Sequence, residues 1–129
     1  MRTVRLVLLF LLTSVSVPAS AEWVKFAEGG DGVSYYLDPA TIRRNGSLRR
    51  VWILQDLKQR DQEGEMSRRA LEEFDCKEER YKILSSSTHS EKMAEGNTLV
   101  MSNKPDVEWR FIPPGTVTEP LLRLVCSVK

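Results

Sequence analysis

Side chains that could carry out catalysis or hold a metal are sparse in this sequence. A zinc-type site needs several His, Cys, Asp or Glu ligands at close spacing, but the chain has one histidine, His89, and two widely separated cysteines. A nucleophilic triad would have to use the same His89, and no Gly-x-Ser-x-Gly turn presents a serine. The sequence therefore predicts a protein that is not an enzyme and that binds no metal and no cofactor.

The remaining candidates for chemistry are one histidine and two acidic pairs. His89 follows a Ser/Thr run, which favours a solvated histidine at a loop or strand end over a metal ligand. Glu72-Glu73 and Glu78-Glu79 could serve a glycosidase only if two carboxyl groups faced one cleft, about 5 to 10 Å apart. Adjacent residues on a strand point to opposite faces. The pairs are therefore interpreted as solvated charge, and a small hydrolase or hydrolase inhibitor is the least favoured function.

Four arginines form the tightest concentration of positive charge. Arg43, Arg44, Arg49 and Arg50 flank an Asn-Gly dipeptide at 45–46, which favours a tight hairpin turn with both residues at positive φ. A hairpin would bring the four guanidinium groups together at one end of a sheet, where they could bind an anionic ligand or an acidic partner. The alternative is that they only protect the hairpin from edge-to-edge pairing. As exposed charges, all four should be replaceable by serine with little effect on the fold.

The N-terminal segment, residues 1–21, has the order of a secretory signal peptide. Two arginines precede an apolar run at 6–12, and Ala19 and Ala21 supply the alternating small residues that signal peptidase recognises. Polar residues interrupt the run before the about 20 apolar residues that a membrane span requires, so a retained anchor is the weaker alternative. We expect cleavage before Glu22 and export, with the periplasm as the first expectation and the cell surface or the medium as alternatives.

Removal of the signal segment changes the charge balance. The full chain has 19 basic and 18 acidic side chains, and loss of Arg2 and Arg5 leaves the basic side chains one short of the acidic ones. Proteins that bind nucleic acid are normally strongly basic, at least on one face. Residues 22–129 also contain no second apolar run of membrane-spanning length. The sequence thus predicts one mature domain at 22–129 that binds no nucleic acid and does not span a membrane.

Both cysteines, Cys76 and Cys126, fall within the predicted mature domain. An oxidising compartment favours a disulfide between them, since they have no metal-binding partners. Two unpaired buried thiols are the alternative. A disulfide would support a domain of this size, because small domains bury a smaller share of their surface than large ones.

Period-two patterning and turn residues indicate that strands position most of these side chains. Strands are predicted at 23–27, 33–37, 49–58, 66–76, 80–84 and 97–101, with 85–88 as an extension of the fifth and 108–112 as a short apolar stretch. The segment 67–74 would also make a capped helix, but its place after a strand and a polar turn favours a paired strand.

Two short helical elements complete the prediction. Asp38 before Pro39 is typical of a single helical turn, and the apolar spacing at 119–125 predicts an amphipathic helix. The three tryptophans, Trp23, Trp52 and Trp109, are predicted to lie in the core rather than on a ligand surface. The fold class predicted from these elements is α+β, a single antiparallel β-sheet of about six strands with a C-terminal α-helix.

The mature chain resembles the surface-adhesin protein E family of small exported proteins from Gram-negative bacteria. The matching features occur in order along the chain: Trp23, Tyr35-Tyr36-Leu37-Asp38, Ile42, Val51-Trp52-Ile53-Leu54, Phe74-Asp75-Cys76, Gly96, Trp109, Pro113-Pro114-Gly115 and Cys126. The resemblance implies an antiparallel sheet with a helix near the C-terminus, a Cys76–Cys126 disulfide and no enzymatic activity. It also implies a binding module whose partner is a host extracellular-matrix or envelope protein. A structural or accessory periplasmic protein without a dedicated ligand is the alternative.

Overall fold

An antiparallel sheet organises residues 21–129, the part of the chain that this computed structural model describes. The elements are β1 (Val24–Glu28), β2 (Ser34–Leu37), β3 (Arg43–Asn45), β4 (Leu48–Asp56), β5 (Ser67–Asp75), β6 (Arg80–His89), β7 (Thr98–Ser102), β8 (Arg110–Phe111) and α1 (Thr118–Cys126). Six strands follow the order β1-β2-β4-β5-β6-β7, while β3 pairs with β4 and β8 with β6. The predicted α+β class is confirmed. The predicted signal peptide lies outside the described residues, except for Ala21.

The centre of the sheet is the long antiparallel pair β4–β5. Its register runs without a break from Leu48 opposite Asp75 to Asp56 opposite Ser67. The alternative of a helix at 67–74 is therefore wrong, because each residue of this segment is committed to a ladder on both sides, with β4 and with β6. Directly opposed residues in an antiparallel pair share a face, so this register assigns every side chain of β4 and β5 to one of two faces.

One face of the sheet, the helix face, carries the hydrophobic core under α1. Leu37, Val51, Ile53 and Phe74 project from β2, β4 and β5, and the helix meets them with Leu121, Leu122 and Val125. These helix positions lie on one side of an α-helix by their spacing. Glu119 and Arg123, one turn apart, form an ion pair of 2.6 Å. The predicted disulfide joins Cys126, at the end of α1, to Cys76, directly after β5.

The arginine-bearing hairpin β3–β4 turns one residue later than predicted. Asn45 pairs with Leu48, so Gly46 and Ser47 form the loop, and Gly46 alone of the Asn-Gly dipeptide has a positive φ, +59°. Glycine adopts this conformation without the Cβ clash that other residues incur. The helical turn before the hairpin is confirmed: Pro39–Thr41 is a short 3-10 turn, and the Asp38 carboxylate accepts a hydrogen bond from the Ala40 amide at 3.1 Å.

The chain at 90–97 folds over one end of the second face, the open face, beside Asp56 and Ser67. The Met93 amide donates to Asp56 and the Ala94 amide donates to the Ser67 hydroxyl, at 2.8 and 3.0 Å. His89 is 3% exposed here, and its Nε2 lies 2.8 Å from the Ser87 hydroxyl. The prediction of a solvated histidine is therefore wrong, although His89 does end a strand. Burial, together with the positive charge of Arg69, lowers the pKa of His89.

The three tryptophans are half-buried and lie outside the buried core, contrary to the prediction. Trp52 is half-buried on the open face, where the Arg69 guanidinium lies 5.0 Å from its ring. Trp109 lies beneath two cations, with Arg80 at 4.8 Å and Lys82 at 4.6 Å from its ring centre. Cations attract the electron-rich faces of aromatic rings.

No helix within residues 21–129 is both long and apolar enough to cross a membrane.

Candidate functional site

The structure divides the four hairpin arginines between the two faces. Arg43 lies opposite Arg50, and Arg44 lies opposite Arg49. Arg49 also pairs with the core residue Phe74, which places Arg44 and Arg49 on the helix face and Arg43 and Arg50 on the open face. The hairpin thus brings the arginines together in two pairs rather than in one cluster of four.

Arg49 is a structural residue, not an exposed charge. It is 8% exposed, and its Nε and Nη2 donate to the Val128 carbonyl at 3.2 and 3.1 Å while Nη1 donates to the Gly46 carbonyl at 2.8 Å. These bonds fasten the chain after α1 to the hairpin. The expectation that all four arginines can be replaced with little effect is wrong for Arg49, since its loss would leave partly buried carbonyl groups without donors, at a cost of about 1–3 kcal/mol.

On the open face, Arg50 belongs to a row of charges across four strands. Its Nε donates to Glu73 Oε2 at 2.7 Å, and Lys82 Nζ lies 4.0 Å from the other oxygen of Glu73. The registers place Arg43, Arg50, Glu73 and Lys82 directly side by side on β3, β4, β5 and β6. Glu73 is buried beneath its two partners.

The interpretation of Glu72-Glu73 as solvated charge is wrong, because both side chains are buried, one on each face of the sheet. Glu78 and Glu79 are exposed, as that interpretation expects.

A second ion pair extends this row toward β8. Arg80 Nε donates to Asp75 Oδ2 at 3.0 Å, and Asp75 also accepts from the Lys77 and Glu78 amides. Although burial raises the pKa of Asp75, these hydrogen bonds hold it below its ordinary value. We name Arg43, Arg50, Lys82 and Arg80 the basic row.

The basic row keeps a net positive charge after its ion pairs are counted. Its four cations face two carboxylates, those of Glu73 and Asp75, which leaves an excess of positive charge. Trp109 lies beside Arg80 and Lys82, and Phe111, opposite Arg80, is 85% exposed. Arginine together with exposed aromatic rings is a composition enriched at protein interfaces. Sequence reasoning found Arg43 and Arg50 but missed Lys82 and Arg80, which lie far from the hairpin in sequence and reach it only through the strand registers.

The structure offers no metal centre in its described part: no three His, Cys, Asp or Glu residues among 21–129 are placed to hold an ion. On the helix face, a cleft beside α1 is lined by Glu72, the buried carboxyl that sequence reasoning assigned to solvent. A possible sequence signal for Glu72 was its position two residues before the core residue Phe74, on the same side of β5.

Comparison with known proteins gives a consistent result. Three solved structures of protein E from Haemophilus influenzae share the fold. The selenomethionine form has a TM-score of 0.65 and 11% identity, covering 88% of this chain and 94% of that chain. Crystal form II has 0.60 and 14%, covering 72% and 80%. Protein E from a non-typeable strain has 0.54 and 16%, covering 84% and 86%.

At these identities the structures establish the fold alone. No curated protein matches the sequence significantly. The sequence profile of the family described as surface-adhesin protein E matches residues 23–127, which is nearly all of the described domain. The chain therefore belongs to the surface-adhesin protein E family.

Proposed function

We propose that the mature domain is an exported, non-enzymatic module that binds an acidic region of a host extracellular-matrix or envelope protein through the basic row. The observation that carries the proposal is the alignment of four cations on neighbouring strands of the face that α1 does not cover. Membership of an adhesin family supports a binding role over a catalytic one. His89 Nε2 contacts the Ser87 hydroxyl at 2.8 Å, but both residues are buried, at 3% and 4% exposure, which closes this pair to a substrate.

Arg43 is the cation of the basic row most available to a partner. Its guanidinium donates to the carbonyls of Ala40 and Ile42 at 2.9 and 3.1 Å and forms no ion pair within residues 21–129. Its charge is therefore not neutralised, unlike the charge of Arg50. An exposed guanidinium can bind a carboxylate or sulfate with two parallel hydrogen bonds. Such rim charges act mainly on the association rate and on the salt dependence of binding.

Reversing the charge at Arg43 should weaken partner binding, whereas the same change at Arg44 should not. We expect Arg43→Glu to lower the affinity about tenfold at low ionic strength, with a smaller loss at high ionic strength. Arg44→Glu is the matched control, because it has the same net charge and lies on the same hairpin but on the helix face. The measurement is equilibrium binding of the mature protein to host matrix preparations and to bacterial envelope extracts.

Equal losses for the two variants would contradict a site on the open face. Saturable binding to neither preparation would favour the alternative, a structural or accessory protein without its own ligand. Arg49 and Arg50 are left unchanged in this comparison, because Arg49 fastens the chain after α1 and Arg50 neutralises buried Glu73.

Export itself predicts a defined N-terminus. We expect the mature protein to begin at Glu22, because Ala19 and Ala21 provide the small residues before the cut. The intact mass of the protein recovered from the periplasm, the outer surface and the medium checks both the cut and the compartment. A product that retains residues 1–21 in the cell would contradict the export signal.

A further inference from the structure

A cleft remains open on the helix face, beside the first turn of α1. Its volume is about 300 Å³, and it lies between α1 and the strands β1, β2, β4, β5, β6 and β8. Phe26, Tyr35 and Tyr81 contribute aromatic rings, while the polar groups come from Gln55, Glu72, Arg110 and Thr118. A smaller depression of about 170 Å³ continues along β5 and β6, and Glu72 lines both. The two hollows therefore share one carboxyl group.

The buried carboxyl of Glu72 lacks a hydrogen-bond partner for one of its oxygens. Its side chain is 7% exposed, and Oε2 has no hydrogen-bond donor within residues 21–129. A buried polar atom without a partner costs free energy, and native structures contain few of them, often at functional sites. Burial raises the pKa of Glu72 to about 7, while the charge of Arg110 lowers it and that of Asp106 raises it.

Arg110, which lines the cleft, and Arg68, which lines the smaller depression, are each held by other carboxylates. Arg110, on β8, donates to both oxygens of Asp106 at 2.8 and 3.2 Å. Arg68, farther along β5, is held by Glu65 at 2.8 Å and Asp61 at 3.2 Å. Neither forms a hydrogen bond or an ion pair with Glu72 within residues 21–129.

The other walls of the cleft bring no compensating charge. The lining residues from β1, β4 and α1 are not ionisable, and those from β2 and β6 that titrate are the phenols Tyr35 and Tyr81. Burial raises the pKa of Tyr35, so it stays neutral. When Glu72 ionises, the cleft therefore contains a carboxylate with no hydrogen-bonded cation, because Arg110, the one positively charged residue that lines the cleft, is held by Asp106.

We propose that this cleft binds a guanidinium group, with Glu72 as its anionic partner. A guanidinium presents a planar fork of donors that matches both oxygens of a carboxylate, and it stacks on aromatic rings such as those of Phe26, Tyr35 and Tyr81. It is also more weakly hydrated than an ammonium, so it loses less on leaving water to meet a buried carboxyl. The terminal torsion of a glutamate is broad, which lets the carboxyl plane turn toward the entering group.

The probe that tests this is N-acetyl-arginine amide, titrated into the mature protein and followed by amide chemical shifts. We expect perturbations centred on Ile53, Glu72 and Ile83. N-acetyl-citrulline amide has nearly the same shape without the charge, and it should bind at least about tenfold more weakly. N-acetyl-lysine amide should lie between the two. Tighter binding of free L-arginine than of the amide would assign the site to a small-molecule ligand, and the reverse order would assign it to an arginine within a polypeptide.

Two variants separate the role of Glu72 from general charge. Glu72→Gln should lose the binding of the arginine probe, whereas Glu73→Gln, one residue away but on the open face, should retain it. Affinity in the wild-type protein should rise about tenfold from pH 6 to pH 8 as Glu72 ionises, and saturating ligand should lower the pKa read from its carboxyl carbon. Equal binding of the citrulline analogue, undiminished binding by Glu72→Gln, or an unchanged pKa of Glu72 would overturn the proposal.

These outcomes are independent of the proposed function. The basic row lies on the open face, so loss of the guanidinium site leaves Arg43 and its neighbours in place. Failure of the Arg43→Glu comparison would likewise leave the cleft untouched.

Discussion

Replacing Cys76 and Cys126 by serine is expected to lower the free energy of unfolding by about 4 kcal/mol. The disulfide closes a loop of 50 residues that contains β6, β7, β8 and α1. Opening that loop increases the entropy of the unfolded chain, which is the main way in which such a bond stabilises a domain. Urea unfolding of the oxidised protein and of the double variant measures the difference.

The loss should be greatest at α1. Without the bond, the helix is held by Leu121, Leu122 and Val125 and by the hydrogen bonds of Arg49 to the following chain. We therefore expect hydrogen exchange to accelerate in α1 more than in the central strand β4. Chemically reduced wild-type protein provides the control and should match the double variant. An unchanged urea midpoint would contradict a structural role for the disulfide.

The second large effect is a loss of wild-type stability, relative to Glu72→Gln, by about 3 kcal/mol as the pH rises from 4.5 to 7. In the unfolded chain Glu72 ionises near its ordinary pKa of 4.5, whereas burial holds the proton in the folded state until about pH 7. A folded-state pKa above the unfolded value gives stability that is present below 4.5, is lost through this range and is absent above it. Glutamine at position 72 does not titrate.

Urea midpoints of the two proteins across this pH range measure the effect. The lowered pKa of His89 also makes stability depend on pH, but that residue is present in both proteins and cancels in the difference. Glu78→Gln, an exposed change of the same kind, serves as control and should show a nearly constant difference from the wild type. A constant difference for Glu72→Gln as well would contradict the raised pKa.

The positions of most strands along the chain could be predicted because local patterns agree with the final fold. The alternation in β4, the hairpin turn, which was predicted one residue before its place at 46–47, and the capped turn at Pro39–Thr41 each depend on neighbouring residues. The short strands β3 and β8 were not predicted, since three and two residues carry no periodicity of their own. They exist because β4 and β6 offer unpaired backbone beside them.

The burial of charged residues could not be predicted from local pattern. Arg49 and Glu72 occupy inward positions of their strands, where the sequence rule expects apolar residues and otherwise assigns solvent. Their surroundings come from distant segments: Val128 supplies the acceptor for Arg49, and α1 and β8 enclose Glu72. His89 is buried for the same reason, because the chain at 90–97 folds back over the open face.

Part of the candidate site could be predicted from the sequence, namely which arginines of the hairpin share a face of the sheet. A hairpin with a two-residue loop at this place puts Arg43 with Arg50 on one face and Arg44 with Arg49 on the other. Alternation alone therefore divides the four arginines into two pairs. Alternation cannot predict which face of the sheet α1 covers. That choice depends on Phe74 and Val51 meeting the helix, and it decides which pair is free to contact a partner.

The position of α1 in the chain has a consequence for biosynthesis. The helix follows all eight strands in sequence, yet it supplies one side of the core, and Cys126 supplies the second sulfur of the disulfide. A ribosome or a translocation pore releases the chain from its N-terminus, so the sheet emerges with the apolar surface of Leu37, Val51 and Phe74 uncovered. Until the helix is released, the growing chain stays open and Cys76 stays reactive. Holdase chaperones and thiol oxidases can therefore act on a bare sheet before the fold closes.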